Sequence, residues 1–527
     1  MTEQEEIRHT ARADADASEE ATQNKSKAAR LAQYFDSRLG LSYPLLRPVP
    51  KYAVNPFYWL GALAVVAFVI QGITGLIMML YYIPTPTQAY PTTQFIFQNV
   101  SYGRFLETVH LYTAYAMIML AFMHMMRGFF VSAQKKPREI MWIVGMGMGF
   151  VTLGFGFTGY LLPWTVVSKS ATDVGIGMLA ALPPPVSNFL QFLIVGGGDP
   201  ASELLRFFDL HVVVLPAVLL VLLAVKMYML ESHGTSEPVT GGQMTNAAKK
   251  PISIFPDVSF YIIELAAIFG AGMLLISAAF PLNLPPMYTP AAAGQIVAQP
   301  DWYFLWIYQI LKISVFEPTG PLGQAAIPAA LSLVTLLFVV LILLPFLDRN
   351  KEKRISSRPR YITLGAIFIA ELVTLAYWGY ESPGQIIPVE EAAFVLGGMA
   401  LLVALVSLGL FKLLSVRAKK QLPTVANEGS LRTAEISNGL AFTILVAGGS
   451  LGIGGTIDAI TKIWTQGISF RLIAYLGTSL VGLGIVVLGT LYLIYRSDLR
   501  TGMIKRKVSA FEVGWLVPKK ETGVESN

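Results

Sequence analysis

Apolar residues run in stretches of about 20, each bounded by charge, proline or glycine. Ten such runs stand out, at about 57–82, 107–130, 142–164, 207–230, 258–280, 324–347, 361–379, 392–415, 438–460 and 471–495. Each is long enough to cross a bilayer as a helix, so the pattern predicts an all-α polytopic transmembrane protein. Two long segments interrupt the rhythm. Segment 165–206 carries Pro183, Pro184 and Pro185 followed by a glycine run at 196–198, and segment 281–323 carries Pro281, Pro285 and Pro286 and then Pro300–Tyr303. Short amphipathic elements on the outer membrane surface are expected in both, because loops longer than their connection requires tend to carry function. The first 50 residues mix acids and bases with Ala, Ser and Gln around no apolar core, which predicts a disordered tail and leaves the first run to direct insertion.

Composition agrees. Of 527 residues, 54% are apolar and 14% charged, with a mean hydropathy of +0.57, against roughly 25% charged in soluble domains. A net charge of +6 invites a nucleic-acid partner, but the placement of the charges explains it as topology. With the N-terminus inside, 31 of the 39 basic residues fall in the N-terminal tail, at 135–139, at Lys249 and Lys250, at 348–360, near Arg417 and in the C-terminal tail. Six face out (Arg104, Lys169, Arg206, Lys312, Lys462 and Arg471), and Arg127 and Lys226 lie within runs. This predicts both termini in the cytoplasm, a cell-membrane location and no nucleic-acid partner. The absence of cysteine excludes disulfides, thiolate iron–sulfur ligation, covalent CxxCH haem attachment and Cys-based zinc sites. Any metal must be held by His, Lys, Met or carboxylates.

His110 and His124 lie 14 residues apart on the second run, a spacing that returns them to nearly the same helix face about 21 Å apart. The fourth run carries His211 near its outer end, at the depth of His110. Facing imidazoles can clamp a haem iron between two helices; the alternative is that they hydrogen-bond across helices as polar packing residues. Gly61 and Gly75 on the first run, and Gly145 and Gly159 on the third, repeat the 14-residue interval. A flat macrocycle needs a helix face without side chains at each of two depths, although glycine is also common in membrane helices for packing.

The pieces QGITG (71–75), HLYTAYAMIMLAFMHMMRG (110–128), KKPREIMW (135–142), FGFTGYLLPW (155–164), RFFDLHVVVLP (206–216), PDWY (300–303), LLPFLDR (343–349) and PVEE (388–391) together resemble the cytochrome b family, the membrane core of quinol-oxidising bc-type complexes, in family order over about 55–395. The resemblance implies two haems, b-type or modified, in a four-helix bundle at 51–250. It also implies a part at 251–425 that completes an outer quinol site; a two-span extension and basic tail at 426–527 lie beyond the family core. His110 and His211 would ligate the outer haem and His124 the inner one, with Arg127 and Arg206 toward propionates. Two positions depart from the family. Lys226 stands fifteen residues after His211, where a second histidine is expected, and Glu107 stands where an arginine is common, with Arg104 one turn outward as a substitute. Lys226 is then either an axial ligand, since burial favours a neutral amine, or a lysine that snorkels to the surface. His233 is placed near the inner end of its run, and His9 in the tail.

In PDWY, Asp301 offers a carboxylate in an apolar outer pocket, where desolvation favours the protonated form and suits it to accept a quinol proton; its alternative role is to cap the helix that follows. Tyr303 and Tyr160 offer hydroxyls to position the quinol ring. The implied partners are a Rieske iron–sulfur protein, which this cysteine-free chain cannot contain, and cytochrome c-like or oxidase subunits, in a dimer within a complex. The competing class is a cofactor-free proton-coupled transporter whose intramembrane His, Lys and Glu residues form a proton path.

Overall fold

The computed structural model describes residues 48–50, 56–196, 200–234, 251–254, 258–350 and 358–419. In chain order the helices are α1 (Leu60–Met79), α2 (Ala89–Asn99), α3 (Gly103–Phe130), α4 (Glu139–Leu161), α5 (Val166–Ala180), α6 (Pro184–Leu190), α7 (Pro200–Asp209), α8 (Leu215–His233), α9 (Ser259–Ala279), α10 (Pro290–Ala293), α11 (Leu305–Leu311), α12 (Ala326–Leu347), α13 (Pro359–Glu381) and α14 (Val389–Lys419). Eight helices among the described residues are long and apolar enough to cross a membrane: α1, α3, α4, the continuous Pro200–His233 rod of α7 and α8, α9, α12, α13 and α14. They correspond to the first eight expected runs; the ninth and tenth lie outside the described residues. Large apolar side chains such as Leu76, Leu275 and Leu405 are 60%, 71% and 64% exposed, as lipid-facing surface requires.

The helices overrun the apolar pattern at several ends. The second span begins at Gly103 and the fourth at Pro200, because polar residues extend a membrane helix beyond the stretch that hydropathy registers. Helix α2 is not evident as an apolar run: its stripe of Ala89, Thr93 and Ile96 is buried, but Thr and Gln dilute its hydropathy. The tail reading also needs correction at its last residues. Pro48–Pro50 (β1) pairs antiparallel with Pro251–Ser253 (β2), Val49 opposite Ile252. Three prolines are tolerated because a two-stranded ribbon consists only of edges.

A π-helical turn, Leu210–Val214, joins α7 to α8 and contains His211. Pro216 follows it, lacking an N–H and crowding the carbonyl four residues earlier; the turn absorbs this, with the Leu215 N–H bonding to the Leu210 carbonyl five residues back.

The chain forms two compact units. The first comprises Met1–Ile83, Pro91–His124 and Met244–Leu284. In it α1 packs on α9, and side chains of α3 satisfy the end of α9. Tyr112 donates to the Phe280 carbonyl at 2.8 Å, Arg104 to the Leu282 carbonyl at 2.6 Å and to Asn283 Oδ1 at 2.7 Å, and the Leu282 N–H donates to Thr108 Oγ1 at 3.1 Å. Helix ends otherwise leave carbonyls without partners, at high cost near lipid.

The second unit comprises Pro84–Tyr90, Met125–Gln243 and Pro285–Asn527. Here α4 packs on α8 and α12, while α13 packs on α11 and α14 around Trp306, Ile310, Ala330, Val334 and Leu375. A buried charge cluster ties the end of α12 to the start of α13: Asp348 pairs with Arg358 and, at 3.2 Å, with Lys135, while Arg358 also donates to Ser132 and lies 3.7 Å above the Tyr361 ring. All three charged side chains are less than 10% exposed. Asp348→Ala would strand two buried cations and should cost about 3–5 kcal/mol. Glu317→Ala, at the more exposed Lys312–Glu317 pair, should cost no more than about 1 kcal/mol. Thermal unfolding in detergent checks the ranking, and equal losses for the two variants would contradict it.

Candidate haem and quinol sites

In the first unit, His110 and His124 project from α3 toward glycines of α1. A Cβ at Gly61 would lie 3.1 Å from the His124 ring, and one at Gly75 would lie 3.4 Å from the ring of His110. Gln71 of α1 also donates to the His110 carbonyl. In the second unit, a Cβ at Gly159 of α4 would fall 2.5 Å from the His211 ring, and one at Gly145 would fall 3.1 Å from Lys226 Nζ. Each of the four candidate ligands therefore stands against one of the four candidate glycines.

Sequence reasoning missed two partners, Thr74 and Thr158. Thr74 Oγ1 lies 2.8 Å from His110 Nδ1, and Thr158 Oγ1 lies 3.1 Å from His211 Nδ1. Each hydroxyl donates its one proton to the carbonyl four residues back, of Ile70 or Gly154, at 2.8 Å. It must then accept from the imidazole, so Nδ1 carries the proton and Nε2 carries the lone pair. That is the tautomer of a histidine that binds metal through Nε2 with a second partner holding its other nitrogen. The residues thus fit haem ligation. The signal was present in the sequence as the repeated Thr-Gly dipeptide at 74–75 and 158–159.

The arginines divide. Arg127 lies one turn beyond His124 on α3, with Nε and Nη2 buried. Arg206 is turned to the Phe192 and Leu193 carbonyls, at 2.9 and 3.1 Å, in the π-helical turn Gln191–Val195, and lies over the Phe192 ring; its donors hold that turn to α7. Arg104 is engaged at the end of α9, as described above. His233 closes α8, its Nδ1 3.0 Å from the Met229 carbonyl and its own carbonyl accepting from Arg138 at 3.3 Å. His9 lies outside the described residues.

Asp301, Tyr303 and Tyr160 all belong to the second unit. Tyr303 donates to Asp301 Oδ2 at 3.3 Å and is 7% exposed. Its hydroxyl lies 2.8 Å from where a Gly156 Cβ would stand, so a third glycine of α4 admits it; Tyr160, one turn along, is within electrostatic reach of Asp301. Asp301 does not cap α11, whose N-cap is Phe304 with no side-chain cap; only the Asp301 carbonyl takes part, accepting from the Phe304 N–H at 2.9 Å. In the same unit, Lys169 of α5 joins Asp173 and, at 3.4 Å, Glu203 of α7, with Trp164 and Tyr288 rings at 5.5 and 5.9 Å. Burial opposes its charge, but the hydrogen bond to Asp173 and the charge of Glu203 prevail and hold its pKa above the ordinary lysine value.

Residues 115–291 match the family model "Cytochrome b(N-terminal)/b6/petB" and residues 285–405 match "Cytochrome b(C-terminal)/b6/petD". The chain is 34% identical over 363 residues to a cytochrome bc complex cytochrome b subunit of Chlorobaculum thiosulfatiphilum, covering 67% of this chain and 82% of that one. It is 30% identical to a cytochrome b of Sulfolobus acidocaldarius, covering 70% and 69%. A solved structure titled "Hyperthermophilic respiratory Complex III" aligns over 72% of this chain and 96% of its own, with 25% identity and a TM-score of 0.56. The chain belongs to the cytochrome b family, as a multi-pass membrane protein of bc-type electron-transport complexes.

Proposed function

We propose that this chain binds two haems and oxidises a membrane quinol, passing electrons across the cell membrane of a respiring cell with both termini in the cytoplasm. The observation that carries the haem reading is the threonine hydroxyl set against Nδ1 of His110 and of His211, each beside the glycine that the ring faces. By their matching depth in the sequence and the family resemblance, His110 and His211 would hold the outer haem and His124 the inner one, with Arg127 next to it. Arg206, committed to backbone carbonyls, is a poorer candidate for a propionate. When bound, haem supplies one-electron redox centres at two depths.

The quinol reading rests on Asp301 and Tyr303. A quinol gives up two protons and two electrons. Asp301 Oδ2 accepts a hydroxyl proton, and Tyr303, packed in the gap at Gly156, holds the carboxylate and positions the ring, with Tyr160 beside it. The two electrons need separate acceptors. With no cysteine in the chain, an iron–sulfur acceptor must come from a Rieske partner, with cytochrome c-like or oxidase subunits beyond it, in a dimeric complex.

Replacing His110 or His211 with Ala should remove one b-type band from the reduced-minus-oxidised spectrum of the purified assembly and abolish quinol oxidation. Full haem content in both variants would overturn the ligand assignment, and a haem-free parent would favour the transporter. Asp301→Asn keeps the shape but loses the base, so turnover should fall by about 10²–10⁴ with haem content unchanged. An unaltered quinol oxidation rate across pH would remove Asp301 from the mechanism.

A further inference from the structure

Lys226 lies inside the membrane span of α8, and its Nζ has no hydrogen-bond or ion-pair partner among the described residues. Lys135, Lys169 and Lys312 of the same unit each sit with a carboxylate. An unpaired intramembrane ammonium is costly, and a lysine in that position ordinarily reaches along the helix to the membrane surface. This one does not. Helices α4 and α8 run antiparallel, with Leu215 against Gly154 and Leu222 against Gly147. That register brings residue 226 level with about residue 143, and the nearer helix ends are His233 and Glu139. Snorkelling would carry the amine toward Glu139. Instead Nζ rests against Gly145, on the side of that level away from Glu139.

The same register places His211 against Gly159, 14 residues from Gly145 along α4. The glycine facing Lys226 is thus the second member of the pair whose first member faces an imidazole of ligating tautomer. We infer that the Lys226 amine is a ligand of the inner haem. The ammonium gives up one proton to solvent, and the neutral amine so formed has one lone pair with which it would coordinate iron. The inference rests on the two-haem reading above.

The test uses the purified complex with the full chain, read by haem quantification and by electron paramagnetic resonance of the oxidised protein. The parent should hold two low-spin haems. Lys226→Ala should convert or lose one of them, about half the low-spin intensity, and leave the other unmoved. Lys226→Arg keeps the positive charge but has no lone pair to give, so it should behave like Lys226→Ala. Lys226→His should restore two low-spin haems with an altered signal for one. Two low-spin haems with the parent's signals in Lys226→Ala, or in Lys226→Arg where the alanine variant does not assemble, would overturn ligation while leaving the haem reading intact. A parent with one haem or none would overturn the two-haem reading itself, and ligation with it.

Discussion

A side chain that presents a nitrogen lone pair within a helical membrane protein needs the neighbouring helix to give way, and glycine is how this chain provides the space. Any Cβ at Gly61, Gly75, Gly145 or Gly159 would press on His124, His110, Lys226 or His211 respectively, at 2.5–3.4 Å. The two separations along α1 and α4 are equal, so each helix offers smooth patches at two levels with the same spacing. Gly156 adds a third opening on α4, occupied by Tyr303, which carries the carboxylate of Asp301. Haem ligation and quinol chemistry, as proposed, thus draw on one glycine-rich helix, and the spacing of its glycines sets which residues meet.

The remaining polar groups show how strictly hydrocarbon surroundings are enforced. The carbonyls beyond α9 are taken by Arg104 and Tyr112, and those of the π turn at 191–195 by Arg206. Asp348 pairs with both Lys135 and Arg358 where α12 ends and α13 begins. Arg104 and Arg206, both read in the sequence as candidates for haem propionates, donate to backbone carbonyls. A long cationic side chain near a membrane helix end has two kinds of acceptor within reach, a bound anion or an unpaired carbonyl, and sequence spacing does not distinguish them.

This is also where legibility divides. The eight described spans follow from run length, because the bilayer demands continuous apolar stretches and permits few alternatives. The histidine and glycine pairs follow from helical periodicity, which survives folding intact. Helix α2 and the β1–β2 ribbon do not follow: the ribbon is held by pairing with a segment distant in sequence, the buried stripe of α2 is diluted by Thr and Gln, and the composition of both resembles a loop. The threonines at 74 and 158 were readable but unremarkable, since a hydroxyl in a membrane helix usually returns its proton to its own backbone. Here both threonines do so and accept from an imidazole as well.

The threonines bear on why an amine is tolerated at one position and imidazoles are required at others. An imidazole can ligate through either nitrogen, and its orientation depends on what holds the other one. Gly75 and Gly159 are each preceded by a threonine that makes this choice; Gly61 is preceded by Leu60 and Gly145 by Val144, which offer no side-chain hydrogen bond. An amine has a single nitrogen, no tautomer and no ring plane to set. At the level of Gly145, where α4 supplies no hydroxyl, an amine needs less from its surroundings than an imidazole does. Gly61 lacks that hydroxyl too and faces His124, so on the proposed reading the missing group permits a lysine at the level of Gly145 without requiring one.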